Sequence, residues 1–382
     1  MGGGGGISGY ISQKRKIPKI VLIIGESTQR NYMNLYGYPL PNTPRLNGLQ
    51  DSQNLFVFSD TIAPAGDTAT ALKKVLTFSN FENSHIEWYK NMNIIDAMKL
   101  LGYRTAWISN QEAVSMHNSF DIIAKRVNIL RYARLMESTP RAMSDKAVIE
   151  IYDRLRKSHL GSLEQDSQQN LRKSKNTDSK KDSHDFGEFI VFHLQGTHYI
   201  YDWRYSADFA LFSVEDLRQN GLDKFYGGAN KGANISTKQA KTRAHYINAI
   251  AYNDYIVSEI FSRFANDEAI IFYLSDHGDE VYDIRDFAGH GPTENSRFVL
   301  EIPFMIYISD SFKSRNPHIV ERIKKAQKLP FMSDNFIHAF FDLVEIECAD
   351  CRADLSPFSD KYNANRARII NSKDYDKEIR IN

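Results

Sequence analysis

The sequence is short of three things. It has 2 cysteines in 382 residues, Cys348 and Cys351, so no second pair can complete a four-thiolate zinc site. Their Cys-Ala-Asp-Cys spacing admits a local disulfide, two free thiols or a redox pair, and the first suits an oxidising compartment. No apolar run approaches the roughly 18–20 residues that span a bilayer. The longest, Ile20–Ile24 and Pro303–Ile308, are strand-sized. Net charge is also nearly absent, since 48 Lys and Arg against 47 Asp and Glu leave +1. That balance gives no electrostatic case for nucleic acid, and no nucleic-acid partner is expected. The Gly-rich start lacks the charged and apolar regions of a signal peptide, so residues 1–16 read as tag or linker.

What is present is material for a core. A hydrophobic fraction of 42% and an aromatic fraction of 12% exclude collagen-like and disordered classes. Ile20–Ile24, Leu55–Phe58, Tyr103–Ile108, Phe189–Leu194, Ala269–Ser275 and Pro303–Ser309 read as strands, several apolar throughout, as strands buried on both faces are. Met92–Leu101 has helical spacing and ends at Gly102. Ala240–Phe264 reads as a long amphipathic helix; Thr70–Leu76 and Asn335–Val344 read as shorter ones. Strands alternating with helices predict an α/β fold with a largely parallel or mixed sheet. Residues 154–185 are Ser-, Lys-, Gln- and Asn-rich and read as a mobile polar insertion. The rest divides into a main domain over 17–350 and a C-terminal extension over 351–382.

In open α/β sheets ligands bind beyond the carboxyl ends of the strands. Glu26 follows the first strand, His198 follows the 189–194 strand, Asp276-His277 follow the 269–275 strand, and His290 lies in a Gly-His-Gly loop. Each alone has a plain structural explanation, such as a surface histidine or a loop hydrogen bond. Together they suit a divalent metal, zinc first and manganese or iron next. Thr68 and Thr70 open a helical stretch, where free N–H groups favour a phosphate. A threonine hydroxyl becomes a useful nucleophile only beside a metal. Without one, either threonine is simply an N-cap.

Ile23-Ile24-Gly25-Glu26-Ser27-Thr28, Asn31-Tyr32 and Tyr36-Gly37-Tyr38 resemble the opening of the phosphoethanolamine transferases, within the alkaline phosphatase and sulfatase superfamily. The likeness continues through Thr68-Ala69-Thr70-Ala71, Phe78-Ser79, Trp107-Ile108-Ser109-Asn110-Gln111 and His193-Leu194-Gln195-Gly196-Thr197-His198. It goes on through Tyr252-Asn253-Asp254, Ser275-Asp276-His277-Gly278-Asp279, Gly289-His290-Gly291 and Ser333-Asp334-Asn335. The order is that of the family, over about 18–345.

The resemblance implies a central, mostly parallel sheet sandwiched by helices. It implies one tightly bound zinc, held by Glu26, Thr70, Asp276 and His277, with a second site open. Thr70 is selected over Thr68 because the family's nucleophile directly precedes an alanine ahead of the helix. His198 and His290 would line the donor phosphate or a second zinc, and Asn110 the donor head group; His193 would be structural. The family's disulfide beside the nucleophile loop has no counterpart here, so packing must hold that loop.

The implied activity is zinc-dependent transfer of phosphoethanolamine from phosphatidylethanolamine through a threonine-linked intermediate. The acceptor would be lipid A or lipooligosaccharide, or a protein. The implied setting is the periplasmic face of a Gram-negative inner membrane, reached through an N-terminal membrane region that this sequence lacks, with the domain monomeric. Rival readings are a phosphoglycerol transferase or phosphodiesterase of the same superfamily, and a silent domain that binds lipid head groups. A sulfatase would need a cysteine or serine at the nucleophile.

Overall fold

A computed structural model describes residues 10–112, 121–134, 144–158 and 187–380. Seven strands form the central sheet: β1 (Lys19–Gly25), β2 (Leu55–Phe58), β3 (Arg104–Glu112), β4 (Ile129–Arg134), β5 (Glu188–His193), β6 (Ala269–Ser275) and β7 (Phe304–Ile308). Their spatial order is β2-β7-β6-β1-β5-β3-β4. The block from β6 to β4 is parallel throughout. β7 is antiparallel to both of its neighbours, so the sheet is mixed. This is the α/β sandwich that the strand–helix alternation predicts.

Both faces of the sheet are covered, which explains the unbroken apolar runs. Along β1, Ile20, Leu22 and Ile24 enter one core while Val21 and Ile23 enter the other. β6 divides in the same way, with Ile270, Phe272 and Leu274 on one side and Ile271 and Tyr273 on the other. That is the period-2 alternation of a strand between two layers. Helix α1 (Thr68–Val75) follows a loop that begins in the pair Thr61–Ile62. Helix α2 (Thr237–Ser262) starts at a capping box, with the Ser236 side chain on the Gln239 N–H and the Gln239 side chain on the Ser236 N–H. Two donors left over by the helix are thereby satisfied. α2 then buries Ala240, Ala244, Ile247 and Ile250 on one core.

Two margins differ from the sequence reading. Ile11–Gln13, within the expected tail, forms a strand antiparallel to Ile346–Cys348. Alternate residues of so short a strand leave no usable period, so composition alone dominated its reading. Residues 351–380 pack as part of the fold rather than trailing from it. Ile370, Tyr375 and Ile379 share a small core with Ile62, Leu300 and Met332. Tyr375 Oη donates to Glu301 Oε1 (2.6 Å), and Arg366 pairs with Glu82 and with buried Asp334 (2.5 and 2.6 Å). Cys348 and Cys351 are joined as a disulfide. Residues 154–158 complete a helix over 146–158, while 159–185 of the expected insertion and 1–9 of the expected tail lie outside the described residues.

The same margin sets an acid limit on stability. Burial alone would raise the Asp60 pKa, but hydrogen bonds and charge from Arg368, with Arg380 and Arg30, outweigh it and hold the carboxyl below its ordinary value. A depressed folded pKa contributes stability that is complete above the unfolded value of about 3.9. That contribution is lost as pH falls through the lower folded value. Urea unfolding of Asp60→Asn should therefore show a shallower loss of stability below about pH 4 than the parent chain. An unchanged acid slope would remove Asp60 as a contributor.

Candidate metal and phosphoryl-transfer site

Three chain segments meet where β1, β5 and β6 end. The ladder extends past the strands: Asp276 N donates to Gly25 O (3.1 Å) and Thr197 N to Glu26 O (3.0 Å). Gly196, at φ +52°, makes this approach possible. A Cβ there would lie 2.7 Å from Glu26 O and 2.9 Å from Glu26 N, and a left-handed backbone suits glycine in any case. The turn is held from behind by buried Asp145, whose carboxylate accepts from Gln195 N and Gly196 N (both 2.8 Å) and from Asn110 Nδ2 (2.7 Å).

Glu26, Asp276 and His277 come together with one ligand atom of each within 4.8 Å of the others, and all three are buried. Their orientation is imposed. Asp276 Oδ1 accepts from Ser27 N (3.1 Å) and His277 N (2.7 Å). Its Oδ2 is buried with no hydrogen-bond partner. His277 Nδ1 donates to Gly278 O (2.9 Å), which leaves the Nε2 lone pair facing inward. Nε2 lies 3.4 Å from Glu26 Oε1 and 3.4 Å from Asp276 Oδ2. Lone pairs that converge in a buried space need a cation between them, because such oxygens are costly to leave unpaired. The set of two carboxylates and one imidazole fits zinc. Electrostatics agree: burial, then the charge of Asp276, pushes the Glu26 pKa well above its ordinary value. Burial acts the same way on Asp276, but its partners, among them the Ser27 and His277 backbone N–H groups, outweigh it and hold its pKa below the ordinary value. Two carboxylates this close in a buried space disfavour a second negative charge unless a cation lies between them.

Thr68 completes the ring. Its hydroxyl donates to Glu26 Oε2 (3.1 Å) and lies 3.2 Å from His277 Nε2. Thr70, expected in that place, is exposed, and its backbone N–H donates to Asp67 Oδ1 at the helix N-terminus (2.9 Å). Residues two apart on a helix do not share a face, so only one of these threonines can face Glu26 and His277. The geometry sets Thr68, and not Thr70, beside Glu26 and His277. The rule that the nucleophile precedes an alanine could not decide, because Ala69 follows Thr68 just as Ala71 follows Thr70.

His198 and His290 stand beside this ring, and with Glu26 they form a second group of close ligand atoms. Their ring centroids are 5.4 Å apart, and His290 lies 4.1 Å from His277. Burial pushes His198 down to about 4. Burial would also lower His290, but Asp279, 2.6 Å from its Nδ1, raises it instead. Asp279 is set in turn by Tyr201 Oη (2.7 Å). Asn110 is fully buried and donates to Asp145, whereas its neighbour Gln111 donates to Glu26 Oε2 (3.2 Å) and Leu194 O (2.8 Å). His193 is buried edge-on to Trp107, and burial lowers its pKa to about 4.

Packing holds the loop that leads into α1. A Cβ on Gly66 would lie 2.5 Å from Glu294 O and 2.7 Å from Gly291 O, both backbone atoms of the His290 loop. Gly66→Ala must therefore part the two loops. A misplacement of about 1 Å at a catalytic group can cost about 10²-fold in rate, and turnover of this variant should fall by that order with zinc still bound. Parent-like turnover would show that the loops are not held by this contact.

Comparison with known proteins agrees with this architecture. A family model described as Sulfatase matches residues 18–346, and the chain belongs to the sulfatase family. Within it, the chain is 29% identical over 304 residues to the phosphoethanolamine transferase EptC of Escherichia coli K12, spanning 78% of this chain and 46% of that protein. The chain thus spans about half the length of the curated relatives it matches. The solved C-terminal periplasmic domain of E. coli EptC in complex with zinc superposes with a TM-score of 0.78 at 23% identity, over 97% of each chain. An integral membrane protein, the lipooligosaccharide phosphoethanolamine transferase A of Neisseria meningitidis, superposes with a TM-score of 0.64 at 15% identity, over 91% of this chain and 59% of that one. Among the described residues no helix is long and apolar enough to cross a membrane.

Proposed function

We propose that this chain is the catalytic part of a phosphoethanolamine transferase that modifies lipid A or lipooligosaccharide at the periplasmic face of a Gram-negative inner membrane. Convergence of the Thr68 hydroxyl with the inward-facing atoms of Glu26, Asp276 and His277 carries the reading. Zinc bound there would supply positive charge that lowers the pKa of the hydroxyl and offsets charge on phosphoryl oxygens. Thr68 Oγ1 attacks the phosphorus of phosphatidylethanolamine, the P–O bond to diacylglycerol breaks, and the diacylglycerol oxygen leaves with a proton. A phosphoethanolamine ester on Thr68 remains. A hydroxyl or phosphate oxygen of the acceptor attacks from the opposite side and regenerates the threonine. The free N–H groups at the start of α1 favour the phosphoryl charge. His198 and His290 orient that group and move protons, at a typical benefit of about 10²–10⁴-fold. The disulfide accords with an oxidising compartment.

Intact-mass spectrometry after incubation with phosphatidylethanolamine and zinc tests this directly. The expected result is a gain of one phosphoethanolamine unit that maps to Thr68. An adduct only with phosphatidylglycerol would make the enzyme a phosphoglycerol transferase. No adduct with either lipid, with zinc bound, would overturn the transfer reading.

A further inference from the structure

The segment beyond His198 also forms one wall of a cavity of about 790 Å³. That volume is in the range of specific small-ligand sites. Trp203, Tyr205 and Phe209 come from this segment, and Tyr252 and Tyr255 from α2. Phe209 packs edge-on to Tyr252 at 4.9 Å and tilted to Tyr255 at 5.4 Å, which makes a rigid floor. Trp203 is 37% exposed and Tyr205 half-buried, so both present ring surface to solvent. The Tyr205 hydroxyl is anchored to His245 Nδ1 at 2.6 Å.

The charge count narrows the class of ligand. Asp202 and Asp208 face the cavity together with Lys146 and Arg204, two acids against two bases. A phosphate or an ammonium group alone would find no net opposite charge here. Flat apolar faces bordered by donors and acceptors instead match a sugar ring, whose C–H face stacks on an aromatic while its hydroxyls meet carboxylates and cations. Two contacts link the cavity wall to the site described above. Arg204 Nε donates to His198 O (2.8 Å). Ser144 and Lys146, on its wall, flank the Asp145 that fixes the Gln195–Gly196 turn beside Glu26.

We propose that this cavity is the acceptor saccharide subsite, where a hydroxyl-rich glycan stacks on Trp203 and Tyr205 with its reactive group extended toward His198. The proposal rests on the transfer reading above, because it assigns the sugar to the second half-reaction.

The test uses the zinc-loaded full chain and, as probe, lipooligosaccharide with its acyl chains removed. Binding is followed by saturation-transfer NMR and tryptophan fluorescence. Saturable binding is expected, weakened about tenfold or more by Trp203→Ala and largely restored by Trp203→Phe. Zinc content and formation of the Thr68 adduct should be the same in all three proteins. Absence of saturable binding at millimolar probe would overturn the proposal, as would binding that Trp203→Ala and Tyr205→Ala both leave intact. Adduct formation is read separately: its failure in the parent chain would count against phosphoethanolamine transfer, while glycan binding lost in Trp203→Ala would still establish the cavity as a saccharide site.

Discussion

Thr68→Ala should abolish transfer, whereas Thr70→Ala should leave it within about twofold of the parent, as surface substitutions usually do. Losing a nucleophile removes a covalent route that nothing else replaces, so the expected fall is at least about 10³-fold in turnover. Thr68→Ser keeps an oxygen at the same place and should retain part of the rate. The prediction separates two residues that lie two positions apart and read alike in sequence. It follows from one contact set, the Thr68 hydroxyl against Glu26 Oε2 and His277 Nε2. Single-turnover kinetics with a lipid donor would decide it. Loss of activity in Thr70→Ala together with retention in Thr68→Ala would reverse the assignment.

Removing the metal should cost stability as well as activity. With zinc absent, two carboxylates share one buried space and the Glu26 pKa rises in response to burial and to Asp276. A cation binds the folded chain and has no equivalent site in the unfolded one. At 100 times its dissociation constant, such a ligand adds about 2.7 kcal/mol to unfolding. Calorimetry should show a melting temperature that rises with free zinc and falls with a chelator. Asp276→Asn should abolish that rise. The same variant should leave the metal-free protein as stable as the parent or more so, because it removes a repulsion between buried acids and its amide can still accept the two backbone N–H groups. A zinc-dependent rise that survives in Asp276→Asn would place the metal elsewhere.

How much of this was legible in the sequence depends on what each element displays there. β1, β5 and β6 are continuous apolar runs because both faces are buried, and a run of that kind is easy to see. Glu26 and Asp276-His277 were found because a polar residue directly after such a run is conspicuous. The finer choices are hard to read where neighbours carry the same chemistry. Thr68 and Thr70 both precede alanine, and only the direction in which α1 enters the fold separates them. Asn110 and Gln111 are adjacent on β3, and the pleat sends adjacent side chains to opposite faces. A shift of one residue therefore exchanges a buried brace of Asp145 for a donor to Glu26. Asp145 and Asp279 were missed because their partners are backbone N–H groups and a distant imidazole. Tyr375 and Arg366 were missed because their contacts reach more than seventy and two hundred residues back along the chain, to Glu301 and Glu82.

Those long-range contacts govern the order in which the protein matures. Phe331–Met332 pairs in parallel with Thr61–Ile62 at the start of the loop that leads into α1. Asp334 and Asn335 reach Phe81 and Asn80 just past α1, and Arg366 joins Glu82 to Asp334. A ribosome releases Thr68 almost three hundred residues before Arg366. During that interval the helix that presents the threonine has none of these neighbours. The helix that carries Thr68 is therefore braced late, once residues 331–379 have emerged and packed against the segments on either side of it. A nascent chain would carry most of its sheet before that brace is in place.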